Sequence, residues 1–266
     1  MVGIVRRPDP VPCPACASGE WDMCRNGRYT ERGIKERHGF GSQRFRIEPE
    51  FAIKLDPGLG THGVLLEPAS IVAKGWDHAQ RIGQRARSFT PRRMLVTGAG
   101  PIGLLAALIG VQHGLEVHVL DLRSSGLKPD MVRMLGATYH CGSVADFKDL
   151  APDIMMECTG APAVIQAILT APLPADIVCL AGLSGPGHQV DIDAGGLDRA
   201  MVLHNQVVFG SVNANRRHYE MAARMLAAAN PAWLDRLISR RVPLASWSDA
   251  FARQPDDIKV MIDFSA

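Results

Sequence analysis

Residues 94–103, MLVTGAGPIG, join a short apolar strand to a turn with glycines at Gly98, Gly100 and Gly103, and the apolar helix 102–111 follows at once. A second apolar run, 117–120, ends on Asp121, 18 residues past Gly103. Strand, glycine turn, helix and strand ending in an acid form the βαβ unit that receives a dinucleotide. One glycine makes the tight turn, one clears room for the diphosphate against bare backbone, and one lets helix and strand pack closely. The helix start offers unpaired N–H groups and the positive end of its dipole. Gly98, Ala99, Gly100, Pro101, Ile102 and Gly103 are therefore candidate phosphate contacts, and Asp121 is the candidate partner of the adenosine ribose hydroxyls.

The pattern continues on both sides. Strands near 94–97, 117–121, 154–158, 176–181 and 207–212 alternate with helical segments near 102–114, 128–136, 161–170 and 195–203, which is the grammar of an α/β, doubly wound parallel sheet. Residues 1–57 are rich in Pro, Gly and charge, with strands expected at 44–54 and no long helical period, as in part of a mainly β lobe. A helix is expected from about Thr61, its N-cap, to Ile82. After Asn213 come an alanine-rich helix over 218–229 that stops at Asn230-Pro231, a short helix over 246–253 and an alternating strand over 258–264, elements expected to return to the first lobe.

Composition narrows the function classes. With 47% hydrophobic residues in 266, the chain can bury a full core, and 29 basic against 27 acidic residues give no electrostatic footprint for nucleic acid or an anionic membrane. The longest strongly apolar run, 102–111, is too short to span a bilayer, and the N-terminus lacks a signal-peptide pattern, so a cytoplasmic location is expected. Of six cysteines, Cys13, Cys16 and Cys24 cluster in a way that asks for a metal. Cys141, Cys158 and Cys179 read as small buried apolar groups.

Together these segments resemble the zinc-containing medium-chain dehydrogenases, and most closely their glucose (aldose) 1-dehydrogenase branch. The likeness is carried by IVRRPDP with CPACASGEWDMC and GRYTERGI (4–34), HGF (38–40), LLEPASI (65–71), VTGAGPIG (96–103), MMECTGA (155–161), CLAGLSG (179–185) and MVLHNQVVFGSVNANRRHYE (201–220). It implies a Rossmann domain over 58–212, a partial GroES-like catalytic lobe over 1–57 with the cysteine cluster, and a return to that lobe over 213–266. It also implies hydride transfer from the anomeric carbon of a sugar such as glucose to NAD(P), assisted by zinc and giving a lactone. The alternatives are a nucleotide-binding remnant without catalysis, or a related polyol or alcohol dehydrogenase.

The resemblance further assigns residues. Glu67 corresponds to the acid beside the catalytic metal, Glu31 and Asn213 to groups near the sugar, and Ala181, Gly182 and Leu183 with Ser211, Val212 and Asn213 to the flanks of the nicotinamide. Asp121 favours NAD, whereas Arg123 points toward some tolerance of NADP. Cys13, Cys16 and Cys24 match three ligands of a structural zinc, but Pro10 stands where the family has its first cysteine, so Asp9 or another neighbour must complete the site or the lobe holds no zinc. In the family the catalytic zinc's remaining ligands, a Cys or Asp and a His-Glu pair, come from a segment ahead of the cysteine cluster, and this sequence does not carry them there, so the resemblance implies a catalytic zinc site left incomplete by the residues present. A second copy of the chain is admitted as a partner at the sheet edge near 207–212.

Overall fold

The computed structural model describes residues 1–147, 149–170 and 175–265. It divides into two compact units, Met1–Lys74 with Val212–Ala266, and Gly75–Ser211. The expected boundary at 57/58 falls instead at 74/75. Residues 58–74 pack with the first unit because Leu59, Leu65, Leu66, Ala69 and Val72 are all buried there.

The second unit is a six-stranded, all-parallel sheet. Its strands are Arg93–Thr97, Glu116–Asp121, Thr138–Cys141, Ile154–Glu157, Ile177–Leu180 and Val207–Gly210. In space they run Val207–Gly210, Ile177–Leu180, Ile154–Glu157, Arg93–Thr97, Glu116–Asp121, Thr138–Cys141, which is the Rossmann order. The crossovers leave Arg93–Thr97 in one direction and enter Ile154–Glu157 in the other, so a crevice opens at the carboxyl ends of these two strands. Being covered on both faces, the central strands are continuous apolar runs; Leu95, Met155 and Val178 meet Leu120, Val144, Ile168 and Ala175 in one core. The helix Pro101–Gln112 is buried from Gly103 to Gly110 and lacks a polar face in that stretch.

Sequence periodicity missed the edge strand Thr138–Cys141. Thr138 and Cys141 are exposed and Tyr139 and His140 half-buried, so no apolar run marks the strand, which is defined by pairing His118↔Thr138 through Asp121↔Cys141; Cys141, expected as a buried apolar group, is exposed because this strand lies at the sheet edge.

The first unit is built from shorter pieces. Val2–Gly3 pairs antiparallel with Ala52–Ile53, Arg6–Arg7 pairs antiparallel with Thr30–Arg32, and Glu36–Arg37 lies parallel to the latter. The strands expected over 44–54 reduce to Ala52–Ile53, because Pro49 opens a 3-10 turn, Pro49–Phe51. The helix expected from Thr61 begins later. Residues Pro57–Leu65 form 3-10 turns capped by Asp56, whose carboxylate accepts from the Gly58 N–H at 2.8 Å, and the α-helix proper is Leu66–Gly83.

In the C-terminal part, Asn230-Pro231 does more than end a helix. The Asn230 side chain caps a new one, Pro231–Leu237, with Pro231 in the first turn, where its missing N–H costs nothing. Arg240–Pro243 and Val260–Asp263 then pair in parallel, the former unannounced by its sequence, and the expected helix at 246–253 is a run of 3-10 turns, Leu244–Phe251. No helix among the described residues is long and apolar enough to cross a membrane.

Candidate active site

The glycine loop has the geometry that its residue types require. Gly98 sits at φ +90°, a conformation that side chains other than glycine rarely adopt, and its N–H donates to the Leu120 carbonyl at 2.7 Å. A Cβ there would also lie 2.8 Å from Thr159 Cγ2, which places the 158–161 loop directly against the glycine loop. Gly100 caps Pro101–Gln112 in extended backbone, and a Cβ on it would meet nothing within 4 Å. That is the open side of the loop, where a helix N-terminus faces free space. Gly103 is the packing glycine: a Cβ would stand 1.7 Å from the Gly98 carbonyl oxygen.

Asp121 closes the site on the next strand. Its Oδ2 accepts from the Ala99 N–H at 2.7 Å and lies 2.9 Å from Lys128 Nζ, while Oδ1 accepts from the Arg123 N–H at 3.2 Å. Burial alone would raise its pKa. The Ala99 amide and Lys128 outweigh burial and hold the carboxyl below the usual range. Asp121 is therefore ionised and fixed, and a cation stands beside it. Lys128 was not singled out by sequence. The available signal was a lysine in the first turn of helix Leu127–Met134, where a helix dipole disfavours positive charge, so another partner had to hold it.

The other carboxyl-end loops gather on Glu157, a second residue that sequence reasoning left unassigned. It is fully buried at the end of its strand. Its side chain accepts from the N–H groups of Thr159 (2.6 Å) and Gly160 (3.1 Å), and its carbonyl accepts from the N–H groups of both Ala181 and Gly182 at 2.9 Å. Gly182 and Gly160 approach so closely that a Cβ on Gly182 would sit 2.1 Å from the Gly160 nitrogen. One residue thereby sets both loops, 158–161 through its carboxylate and 181–183 through its main-chain carbonyl, with Leu183 largely exposed at the tip. Ser211, whose N–H donates to Leu180 O at 3.0 Å, follows the adjacent strand. The structure thus brings Ala181, Gly182, Leu183 and Ser211 to the carboxyl edge of the same sheet as the glycine loop. Val212 and Asn213 belong to the other unit. A cavity of about 480 Å³ lined by Arg85, Phe89, Asp176 and His204 lies at the amino ends of strands Ile177–Leu180 and Val207–Gly210, away from this edge.

In the first unit, Asn213 adopts φ +60°, which its short polar side chain tolerates, and its amide Nδ2 donates to Glu31 Oε1. Glu31 Oε1 also pairs with Arg6 Nε at 2.8 Å, and all of Glu31 but a few per cent is buried. Two residues 182 positions apart form one hydrogen-bonded pair backed by a guanidinium. Glu67 lies in the first turn of Leu66–Gly83; burial pushes its carboxyl above the usual range, with Lys259 opposing. Burial, and after it Glu67, raises the phenol of Tyr219.

Cys13, Cys16 and Cys24 do meet, their sulfurs all within 4.8 Å of one another. The Arg25 N–H, donating to Cys13 Sγ at 3.4 Å, leads the backbone hydrogen bonds that lower the Cys13 thiol to about 6, and burial pushes Cys16 up to about 12. Asp9 does not join them. Its carboxylate accepts from the N–H of Val11 (3.1 Å) and from Asn26 Nδ2 (3.3 Å), and it lies 3.8 Å from Arg28.

An open parallel sheet with a glycine-cradled helix N-terminus and a fixed acid on the next strand defines a dinucleotide-binding unit of the dehydrogenase class. Comparison with known proteins gives the particular family. The chain belongs to the glucose dehydrogenase family, whose C-terminal domain ("Glucose dehydrogenase C-terminus") matches residues 60–264. It is 36% identical to glucose 1-dehydrogenase of Methanocella arvoryzae, over all of this chain and 76% of the relative. It is 35% identical to glucose 1-dehydrogenase 2 of Vulcanisaeta moutnovskia, over 99% of this chain and 74% of the relative. Among solved structures, glucose dehydrogenase of Haloferax mediterranei in complex with NADP, Zn and gluconolactone superimposes with a TM-score of 0.88 at 28% identity, covering all of this chain and 76% of its own.

Proposed function

We propose that this chain acts in the oxidation of an aldose such as glucose to its lactone, with NAD or NADP as hydride acceptor. The observation that carries the reading is the carboxyl edge of the sheet, where an open glycine, a helix N-terminus and an ionised Asp121 stand together in a chain 36% identical to a glucose 1-dehydrogenase. The nicotinamide ring supplies the hydride chemistry when the nucleotide is bound.

Gly98, Ala99, Gly100, Pro101, Ile102 and Gly103 would seat the diphosphate on backbone N–H groups, and Asp121 would accept from the ribose hydroxyls. Ala181, Gly182, Leu183 and Ser211 would flank the nicotinamide, with the Glu157 carbonyl holding the 181–183 loop in register. Asp121 by itself favours NAD. Lys128, ion-paired with it, and Arg123 beside it supply the positive charge that a 2′-phosphate needs, so both nucleotides are accepted.

Asn213 and Glu31 would bind sugar hydroxyls as a pair, with Arg6 fixing the carboxylate. Glu67 is the chain's candidate beside a catalytic zinc, but among the described residues it stands outside any group of three metal-binding side chains. Among the described residues these alone do not make a catalytic zinc site.

Cys13, Cys16 and Cys24, unbridged although their sulfurs lie within 4.8 Å of one another, fit a reducing, cytoplasmic compartment. Helix Ala194–His204 has no buried residue, and Val202 and Leu203 are mostly exposed beside the edge strand Val207–Gly210, features that suit a second copy of the chain as partner.

The test is a glucose-dependent assay of nicotinamide reduction with NAD and NADP in parallel, paired with a fluorescence titration of the reduced nucleotides. Turnover with glucose and saturable binding of both nucleotides are expected. Binding without turnover would leave the chain a nucleotide-binding protein, and turnover only with a non-sugar alcohol would move the substrate.

A further inference from the structure

The three-stranded sheet of the first unit has two faces with different charge balance. Side chains alternate along a strand, so the neighbouring pairs Arg6↔Glu31 and Arg7↔Thr30 point to opposite sides. On one side Arg6 is matched by a single acid. Its Nε donates to Glu31 Oε1 at 2.8 Å, its Nη1 donates to the Asp22 carbonyl at 3.1 Å, and the Tyr29 ring lies 3.7 Å from the guanidinium.

The other side carries three arginines. Thr30, opposite Arg7, and Arg32 are two apart on one strand and share its face, and Arg32 is paired directly with Arg37 on the next strand. The acid that serves them is Glu48, 3.4 Å from Arg7 Nε and 3.4 Å from Arg37 Nη2, both at the long end of the hydrogen-bond range. Arg7 stacks over Phe51 at 3.9 Å, and Arg32 Nη2 donates to the Arg46 carbonyl at 3.0 Å. Arg7 Nη2 and Arg32 Nε are buried and, among the described residues, have no hydrogen-bond partner. Arg7 as a whole is only 4% exposed. Burial lowers its pKa and the charges of Arg32 and Arg37 lower it further, with Glu48 opposing. A buried guanidinium N–H without an acceptor is costly, and two on one face call for an anion with several oxygens. The way in is past Glu48 and Arg37, whose side chains are 44% and 34% exposed.

We propose that Arg7, Arg32 and Arg37 form a binding site for a phosphate group, free or on a small monoester, on the sheet face opposite Arg6 and Glu31. Planar guanidiniums present paired N–H donors to phosphate oxygens, and a dianion supplies the negative charge that one carboxylate does not. Glu48 is the resident competitor, its carboxylate exposed enough to swing toward solvent when phosphate enters.

Calorimetric titration of the full chain with inorganic phosphate and, in parallel, with glycerol phosphate at constant ionic strength tests this. A saturable site is expected, weakened about tenfold in Arg32→Gln and tightened in Glu48→Gln, and the tighter of the two probes tells free phosphate from monoester. No saturable binding of either probe overturns the proposal. So does binding that ignores both substitutions, as phosphate held at the glycine loop would. Should Arg32→Gln fail to fold, Glu48→Gln decides alone: a partly exposed acid is replaced by its neutral isostere, and phosphate binding that is unchanged or weakened there contradicts the site.

Discussion

Gly103→Ala is expected to unfold the nucleotide-binding unit or leave it barely stable. The substitution is informative because helix propensity predicts the opposite sign: in a helix interior, alanine for glycine gains about 1 kcal/mol. Here the new Cβ would stand 1.7 Å from the Gly98 carbonyl oxygen, and that oxygen is backbone that cannot rotate away. Relief requires moving the helix off the strand, which breaks the packing of a stretch buried from Gly103 to Gly110. Overpacking of this kind costs about 3 kcal/mol or more, enough to lower the melting temperature by about 6–12 °C. Gly110 of the same helix is the control. A Cβ there meets Met94 Sδ and Val117 Cγ2 at 2.8 Å, side-chain atoms and not backbone, of which the flexible Met94 thioether can give way while the β-branched Val117 yields little, so Gly110→Ala should cost less than Gly103→Ala. Thermal melts of the two variants check the claim; a Gly103→Ala chain melting at or above the wild type would show that the loop is not packed as described.

Asp22→Ala is expected to cost about 3–5 kcal/mol, because it leaves a buried ammonium without its counter-charge. Lys74 and Asp22 are almost wholly buried and 2.9 Å apart, and Asn215 Nδ2 loses its acceptor as well. The double variant Asp22→Ala/Lys74→Met should recover much of the loss, since an apolar pair can replace a buried ion pair at little cost. Burial raises the pKa of Asp22, but Lys74, Asn215 and His218 outweigh it, so its folded value lies below its unfolded one. Stability from this group is therefore fully present above the unfolded value of about 4 and is lost as pH falls through the folded value. Urea unfolding at a series of acidic pH values should show a steeper acid limb in the wild type than in the double variant. Equal slopes, or a single variant as stable as the wild type, would contradict the assignment.

These two positions also show why half the molecule was readable before its structure and half was not. The sheet unit announces itself because each of its parts is local: an apolar strand, a glycine turn and an apolar helix fall within 94–112, and the same grammar recurs. Its one missed strand, Thr138–Cys141, lies at the sheet edge, where half-exposure removes the apolar signal.

The first unit is assembled from strands of two or three residues whose partners lie up to 51 positions away, as in Val2 with Ile53, and no periodicity survives in pieces that short. Asp22, Lys74 and Asn215 come from three distant segments. Lys74 lies on the side of its helix opposite the apolar stripe of Ala69, Val72, Ala73 and Trp76, where a solvated lysine is the ordinary reading, so nothing local marks it as buried against an acid. Likewise the residue types at Glu31 and Asn213 carried no sign that one donates to the other, and the spacing of the three cysteines said nothing of Asp9 turning away from them.

The central claim is that the carboxyl edge of the sheet binds a dinucleotide through the open face of its glycine loop. Gly100→Val separates binding from folding, because φ at Gly100 is −83° and its Cβ would meet nothing within 4 Å, yet the added methyls would occupy the space proposed for the diphosphate. Calorimetric titration of NADH or NADPH into wild type and variant, with a melting curve of each, is the decisive measurement. An unchanged melting temperature with nucleotide binding lost in Gly100→Val is the expected result, and a variant that folds and still binds the nucleotide as the wild type does would contradict it.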